Sequence, residues 1–159
     1  NPFGRQWFPI PRFEGSTEVE AAVEMNRAAE DLNAFLDQRL AEEGLTPAAL
    51  ALIGFSQGAM MSLHVAPRRG QPMAGVVAIS GKLMLPKLLA EEAKVKPPIM
   101  LIHGDRDDVV PFQEMQAAGN ALVAAGFATF GHVMQGTGHG IAPDGLGVAM
   151  QFLKERLPS

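Results

Sequence analysis

Residues 49–61 read ALALIGFSQGAMM, and this stretch decides the fold. Its first half is an apolar run of strand length, and its end is rich in Ala and Met, which favour helix. Between the two lies the pattern Gly54-x-Ser56-x-Gly58, which is typical of a nucleophile elbow. Strand and helix pass so closely at such a turn that side chains two residues either side of the serine would collide. The stretch therefore predicts a strand, a tight turn and a helix, with glycine required at both flanking positions.

The same turn suggests a chemical role for two residues. Ser56 would be a nucleophile held in a strained backbone, and the backbone N–H of Gln57 would point toward the space where an oxyanion forms. The pattern alone is also compatible with a glycine-rich turn that carries an idle serine. The choice between these two interpretations depends on whether the chain also carries residues that could serve Ser56 as a base and an acid.

Composition narrows the class of protein. The chain has 159 residues, enough for one domain with an ordinary core, and its 47% hydrophobic and 19% charged residues are typical of a globular protein. A net charge of −4 without a basic stripe argues against nucleic-acid binding. No apolar run reaches the roughly eighteen residues that would predict a membrane span. The chain has no cysteine, which excludes disulfides and thiolate chemistry and leaves the compartment open, with the cytoplasm as the default.

Further apolar runs predict strands at residues 74–79, 98–103 and 127–134. Helical spacing predicts helices over 17–43, 57–66, 111–125 and 144–157, and a short one within the connector 82–96. In the first helix, Val23 and Phe35 are among the apolar residues that recur opposite a charged outer face. Continuous apolar strands that alternate with helices indicate an α/β fold, with a parallel sheet covered on both faces.

Three polar residues each follow the C-terminal end of a predicted strand: Ser56, Asp107 and His139. Open α/β sheets place their sites at this edge, and the chain order Ser, Asp, His is that of α/β-hydrolases. His139 would take the proton of Ser56 and later donate it to the leaving group. Asp107 would accept a hydrogen bond from the other ring nitrogen and fix the tautomer of His139. Together these placements favour a nucleophilic serine over an idle one.

The acid of this constellation has competitors nearby. Asp105 stands beside the strand end, where it can accept hydrogen bonds from turn amides. Asp144 is better explained as the cap of the final helix. Asp107 is the preferred acid, and Asp108 is the next candidate.

The other histidines have plainer explanations. His103, with Asp105, Asp107 and His139, could in principle supply a nitrogen and oxygens to a metal ion. A strand-end histidine satisfied by the turn backbone is the simpler account of His103. His64 lies about two helical turns beyond Ser56 and is interpreted as packing, and His132 is expected to face a neighbour or solvent.

Candidate substrate-lining residues are few. Trp7 lies in a loop rich in proline and aromatic residues, where it would either be pinned to the core edge or line a substrate pocket. Met84 and Leu85 lie on the connector that follows the second strand, near the expected site edge. These three residues are the predicted substrate-binding positions.

Several blocks together resemble one family, the phospholipase/carboxylesterase family, in its acyl-protein-thioesterase-like branch of the α/β-hydrolases. The blocks are GFSQGAM at 54–60, ISG at 79–81, HGDRDDVVP at 103–111 and GH at 138–139. By that resemblance Ser56, Asp107 and His139 are the triad, and Trp7 belongs to a stretch near the substrate entrance. The resemblance also implies no metal and no cofactor, and hydrolysis of carboxylic esters or thioesters with short to medium acyl chains.

The sequence departs from the family at its beginning. The family has additional N-terminal strands and a His-Gly-x-Gly-type loop that donates the second oxyanion N–H, and neither is found before Trp7. Residues 1–159 are therefore expected to form a single α/β-hydrolase domain that represents the C-terminal portion of the full fold. Loss of one oxyanion donor typically lowers the rate by a factor of about 10²–10³.

Other functions and partners stay open at this point. An amidase or peptidase of the same fold is one alternative, and a non-catalytic domain that keeps the elbow and binds a partner is another. The expected partner is a small-molecule ester or thioester. A homodimer and a missing N-terminal segment of the same protein are also considered.

Overall fold

Parallel strands laid side by side in chain order organise the part of the molecule that the structure describes. The computed structural model describes residues 18–158. Its helices are α1 (Glu18–Glu43), α2 (Gln57–Val65), α3 (Leu89–Glu92), α4 (Gln113–Ala124) and α5 (Pro143–Arg156), and its strands are β1 (Ala51–Phe55), β2 (Gly75–Ile79), β3 (Ile99–Gly104) and β4 (Thr129–Met134). The predicted strands and main helices are confirmed to within about two residues at their ends.

The described sheet has four strands in the order β1-β2-β3-β4, and every pair is parallel. Phe55 of β1 stands opposite Ile79 of β2, and Ile79 stands opposite Ile102 of β3. Because parallel neighbours point the same way along the sheet, the C-terminal ends of all the strands meet at one edge. The loops that follow β1, β3 and β4 carry Ser56, Asp107 and His139, so these residues reach the same edge.

Strand β2 is buried over its whole length and divides the core between the two faces of the sheet. Val76 and Ala78 belong to the cluster that packs under α2 and α4, whereas Val77 and Ile79 belong to the cluster under α5. This alternation follows from the two-residue period of a strand. Both faces are covered, which confirms the predicted α/β architecture.

Helix α1 packs on α2 through the buried residues Ala21 and Met25. Its predicted end is confirmed, since Gly44 has φ +66° and the N–H of Leu45 donates to the carbonyl of Leu40 at 2.9 Å. The expectation for Val23 and Phe35 is wrong: they are 51% and 57% exposed. Apolar residues occur on more than one side of this helix, and the positions that face α2 are the ones that become buried.

Polar contacts also fasten α1 to α2 and the turn that follows it. His64 is buried and forms a hydrogen bond between its Nε2 and Asn26 Oδ1 at 2.8 Å, which agrees with the packing role expected for it. Arg69 donates to Asn33 at 2.7 Å and to Asp37 at 2.6 Å. Burial, with a smaller contribution from the Arg68 guanidinium, lowers the pKa of His64 to about 4. His64 is therefore neutral in the folded protein at pH 7.

Between residues 18 and 158, no helix combines the length and the apolar character needed to cross a bilayer.

Candidate active site

Ser56 occupies a sharp turn between β1 and α2. Its φ is +56° and its ψ is −116°, a backbone conformation that L-residues other than glycine seldom adopt. The turn is held by two backbone hydrogen bonds: Ser56 N–H donates to Ile79 O at 2.8 Å, and Met60 N–H donates to Ser56 O at 3.1 Å. Strain of this kind persists only where the surroundings enforce it, and it concentrates at functional sites.

The glycines around Ser56 are not equivalent. A Cβ on Gly54 would collide with the carbonyl group of Gly58 and would lie 2.6 Å from Ala59 N. A Cβ on Gly58 would meet no described atom within 4 Å. The close approach of strand and helix thus requires glycine before the serine only, and the expectation that both positions are sterically required is wrong for Gly58. Gly81, at the end of β2, is a second tight position, since its Cβ would lie 2.5 Å from that of Ala59.

His139 bridges Ser56 and Asp107. Its Nε2 lies 3.0 Å from Ser56 Oγ, and its Nδ1 lies 2.8 Å from Asp107 Oδ2. An ionised carboxylate only accepts hydrogen bonds, so Nδ1 carries the proton and Nε2 is the acceptor for the serine hydroxyl. The ring of Phe55 packs against the imidazole with centroids 4.9 Å apart. The imidazole is therefore oriented with its basic nitrogen toward Ser56.

Asp107 is held by the backbone as well as by His139. Its Oδ1 accepts hydrogen bonds from the N–H groups of Val109 and Val110, both at 2.9 Å, and its side chain has no exposed surface. Burial by itself would raise the pKa of this carboxyl. The hydrogen bonds from His139 and the two amides outweigh burial and hold the pKa of Asp107 below its usual range. Asp107 is thus a buried anion that faces the imidazole.

The loop that carries Asp107 is fastened to the loop that carries His139. Arg106 N–H donates to Thr137 O at 3.0 Å, and Gly136 N–H donates to Asp105 Oδ1 at 2.8 Å. A Cβ on Gly104 would collide with the carbonyl oxygen of Thr137. Close packing of two backbones therefore brings the acid and the imidazole together. Asp105 was expected to accept hydrogen bonds from the amides of its own turn; its carboxylate instead accepts from Gly136 N–H in the loop after β4.

The competing carboxylates lie elsewhere. Asp108 is exposed beside Asp107. Asp144 does not cap the final helix, because Ala142 occupies the cap position and Pro143 begins the helix. Asp144 instead accepts a hydrogen bond from His132 Nε2 at 2.7 Å, and this bond lowers the pKa of its carboxyl. The predicted cap is wrong because the cap position lies two residues earlier than expected, at Ala142.

His103 was interpreted as a strand-end histidine satisfied by the turn backbone, and its contact with Val110 O at 2.9 Å confirms this. Its second contact was not expected: Nε2 also lies 3.3 Å from Asp107 Oδ2. In the sequence, only the four-residue spacing of His103 and Asp107 indicated this contact. Spacing alone does not predict it, because the curvature of the loop determines whether the two side chains meet. In residues 18–158, no three His, Asp or Glu side chains converge in a way that could hold a metal ion.

The predicted substrate-binding residues have different surroundings. Trp7 lies outside the described residues. Met84 is 4% exposed and packs with Met60 and Met61 in the cluster beneath α1. Leu85 has φ +49° and lines a cavity of about 370 Å³ together with Leu83, Pro86, Leu88 and the polar residues Lys82, Lys87 and Glu114. Gln57 is the first residue of α2, directly after the serine.

Comparisons with known proteins all find similarity to esterases and thioesterases of one family. The model of the phospholipase/carboxylesterase family matches residues 1–157. Esterase YpfH of Escherichia coli K12 is 30% identical over 158 residues, which is 99% of this chain and 66% of that protein. Acyl-protein thioesterase 1 of Gibberella zeae is 30% identical over 128 residues, 77% of this chain and 54% of the relative.

The crystal structure of esterase PE8 superposes with a TM-score of 0.91 at 43% identity. The match covers 99% of this chain and 73% of that one. The chain therefore spans between half and two thirds of the length of the two curated relatives named above.

Proposed function

The chain belongs to the phospholipase/carboxylesterase family, and from that premise we propose that it hydrolyses carboxylic esters or thioesters by way of an acyl-serine. One observation carries the proposal. An unbroken series of hydrogen bonds runs from Ser56 Oγ to His139 at 3.0 Å and from His139 to Asp107 at 2.8 Å, on a serine with φ +56°. A nucleophile, a base and a group that orients the base are the parts that such a reaction needs.

In the first half-reaction, Ser56 Oγ attacks the carbonyl carbon of the substrate while its proton moves to His139 Nε2. The carbonyl oxygen becomes an oxyanion, and the backbone N–H of Gln57, at the start of α2, is proposed to stabilise it. The tetrahedral intermediate then collapses. The alcohol or thiol leaves with the proton from His139, and the acyl group stays on Ser56.

In the second half-reaction, water attacks the acyl-serine. His139 takes a proton from the water and returns it to Ser56 Oγ as the carboxylic acid is released. Asp107 stays ionised through both halves, and its Oδ2 stabilises the imidazolium that forms twice per turnover. The low pKa of the Asp107 carboxyl supports this role, because a neutral acid would not stabilise a cation.

The proposed acyl site follows β2. A Cβ on Gly81 would lie 3.3 Å from the carbonyl oxygen of Ser56, so Gly81 itself lies close to the serine. The connector that begins at Lys82 therefore starts beside Ser56. The cavity of about 370 Å³ on this connector is lined by Leu83, Leu85 and Leu88, and these apolar side chains support its assignment as the acyl site. Leu85 supports this assignment better than Met84, whose side chain is packed in the core. Trp7 remains a proposed entrance residue.

The names of the relatives support both substrate classes, since one is an esterase and another an acyl-protein thioesterase. A single hydrolase domain over residues 1–159 is part of the proposal, supported by the four-stranded sheet of the described residues, which carries the candidate site at its edge. A cytoplasmic location and a homodimer stay predictions.

The proposal is tested with p-nitrophenyl esters from acetate to decanoate and with a serine-directed fluorophosphonate. Wild-type protein is expected to hydrolyse the esters and to carry the label on Ser56, and Ser56→Ala is expected to lose both activities. Ser62→Ala is the matched control, because Ser62 lies on the same helix and is buried against Gly58 O. Hydrolysis that survives in Ser56→Ala, or the absence of both activities in the wild type, would contradict the proposal.

A further inference from the structure

His103 is a buried histidine that the proposed mechanism does not use. It lies near the end of β3, it is 2% exposed, and its ring packs edge-on against Phe112 with centroids 6.1 Å apart. A polar ring at this depth needs hydrogen-bond partners to offset its desolvation. Its Nε2 forms a hydrogen bond with Val110 O at 2.9 Å and lies 3.3 Å from Asp107 Oδ2.

These contacts determine which nitrogen of His103 carries the proton. A backbone carbonyl oxygen accepts and never donates, and the same holds for the ionised Asp107 carboxylate. Nε2 is therefore the protonated nitrogen, and its N–H donates to Val110 O, while Asp107 Oδ2 lies 3.3 Å from the same nitrogen. His103 thus contacts the carboxylate through the same oxygen that accepts the hydrogen bond of His139.

Within residues 18–158, the hydrogen bonds to the Asp107 carboxylate can then be assigned. Oδ1 accepts from the amides of Val109 and Val110, Oδ2 accepts from His139, and His103 Nε2 lies 3.3 Å from Oδ2. Rotation of the carboxylate would break bonds at both oxygens. The contact of His103 with Val110 O also ties the end of β3 to the far side of the loop, so the two amides stay directed at Oδ1.

We propose that His103 is a positioning residue for the Asp107–His139 pair, which rests on the proposed hydrolase function of that pair. It acts on the reaction only through Asp107. It closes the loop of residues 104–110 through Val110 O and packs its Nε2 3.3 Å from Oδ2, so that this oxygen meets His139 Nδ1 in one orientation. A misplacement of about 1 Å in such a group can cost about 10² in rate.

The first test uses two complementary variants, one that keeps the ring and one that keeps the donor. His103→Phe keeps a ring against Phe112 and removes the donor. His103→Gln places an amide N–H2 about as far from the backbone as Nε2 and restores the donor. With p-nitrophenyl esters, His103→Phe is expected to lower kcat by about tenfold to a hundredfold with KM unchanged. His103→Gln is expected to recover most of that loss.

A double-mutant cycle separates positioning from general stability. Where Asp107 is already asparagine, the carboxylate that His103 orients is gone, so His103→Phe is expected to lower kcat little further. Equal losses in the two backgrounds, or a loss below threefold in the wild-type background, would overturn the proposal. His132→Gln is the matched control, because His132 lies outside the site and binds Asp144. It is expected to keep wild-type kcat.

A spectroscopic readout keeps the inference independent of turnover. The Nδ1–H proton of His139 is followed by NMR in nitrogen-15-labelled protein. Its resonance is expected to shift or broaden in His103→Phe and to return in His103→Gln. An unchanged resonance in His103→Phe would overturn the positioning role even in an active enzyme. A protein that hydrolyses no ester but shows the expected resonance changes would refute the hydrolase function and leave the positioning geometry standing.

Discussion

Replacing Asp107 by asparagine is expected to remove most hydrolysis while leaving the fold intact, and the hydrogen bonds of the site give the size of the effect. Val109 and Val110 donate to Oδ1, so the amide oxygen of asparagine takes that position. The amide N–H2 then faces His139 Nδ1, which has to become an acceptor. The proton moves to Nε2, where it faces Ser56 Oγ, and the imidazole can no longer take the serine proton.

Catalysis would survive only in molecules where the asparagine amide is reversed. That orientation leaves the N–H groups of Val109 and Val110 facing an N–H2 group. Each largely buried donor left without an acceptor costs about 1–3 kcal/mol, so the reversed form lies about 2–6 kcal/mol higher. Since 1.36 kcal/mol corresponds to a factor of ten, kcat is expected to fall by about thirtyfold to about 2 × 10⁴-fold.

The assay is the steady-state hydrolysis of the best p-nitrophenyl ester, with thermal unfolding measured on the same samples. Asp108→Asn is the matched control, because this neighbouring carboxylate is exposed, and it is expected to keep nearly all activity. The reasoning is refuted by an Asp107→Asn enzyme within tenfold of wild type. An equal loss of activity in Asp108→Asn would show that the choice of Asp107 as the acid is wrong.

Two further predictions concern the turn and the helix interface. Gly54→Ala is expected to abolish fluorophosphonate labelling and lower the melting temperature, because its Cβ would collide with the Gly58 carbonyl. The Cβ of Gly58→Ala would meet no described atom, so this variant should melt at or above the wild-type temperature. Equal melting temperatures of the two variants would contradict the difference between the two glycine positions. The folded-state pKa of His64, about 4, lies below its ordinary 6.5, so the unfolded chain binds a proton first as the pH falls. The urea concentration at the unfolding midpoint should therefore decrease as the pH is lowered from 6.5 to 4. His64→Gln, whose amide can still donate to Asn26, should make that decrease smaller. An unchanged pH dependence in His64→Gln would show that other groups cause the decrease.

The sheet could be predicted from the sequence because its inner strands are continuously apolar. Residues 75–79 read GVVAI and are buried throughout, so pattern and burial agree. Strand β4 begins two residues later than predicted, at Thr129. It lies at an edge of the described sheet, where Phe130 and Val133 are partly exposed, and the apolar pattern weakens accordingly. For α1, the pattern predicted a helix but not its buried side, because that side is set by where α2 lies.

For the site, chain order and strand ends were enough to predict that Ser56, Asp107 and His139 lie together. The contact between His103 and Asp107 could not be predicted, since it depends on how the loop of residues 104–110 curves back over β3. The capping role of Asp144 was wrong for a related reason. A hydrogen bond to His132 on the neighbouring strand competes with local capping, and only the tertiary arrangement shows that partner.

The order of the described strands has a consequence for how the proposed activity would arise during synthesis. Ser56 follows β1 and His139 follows β4, and 83 residues separate the two side chains that share a hydrogen bond. Each described strand after β1 pairs with the one made just before it, so this part of the sheet can grow strand by strand as the chain emerges from the ribosome. A nascent chain that stops short of β4 holds the serine and the carboxylate but no base. Ester turnover would therefore report that the last strand has docked, and fraying of β4 alone would silence the site while the rest of the sheet stays folded.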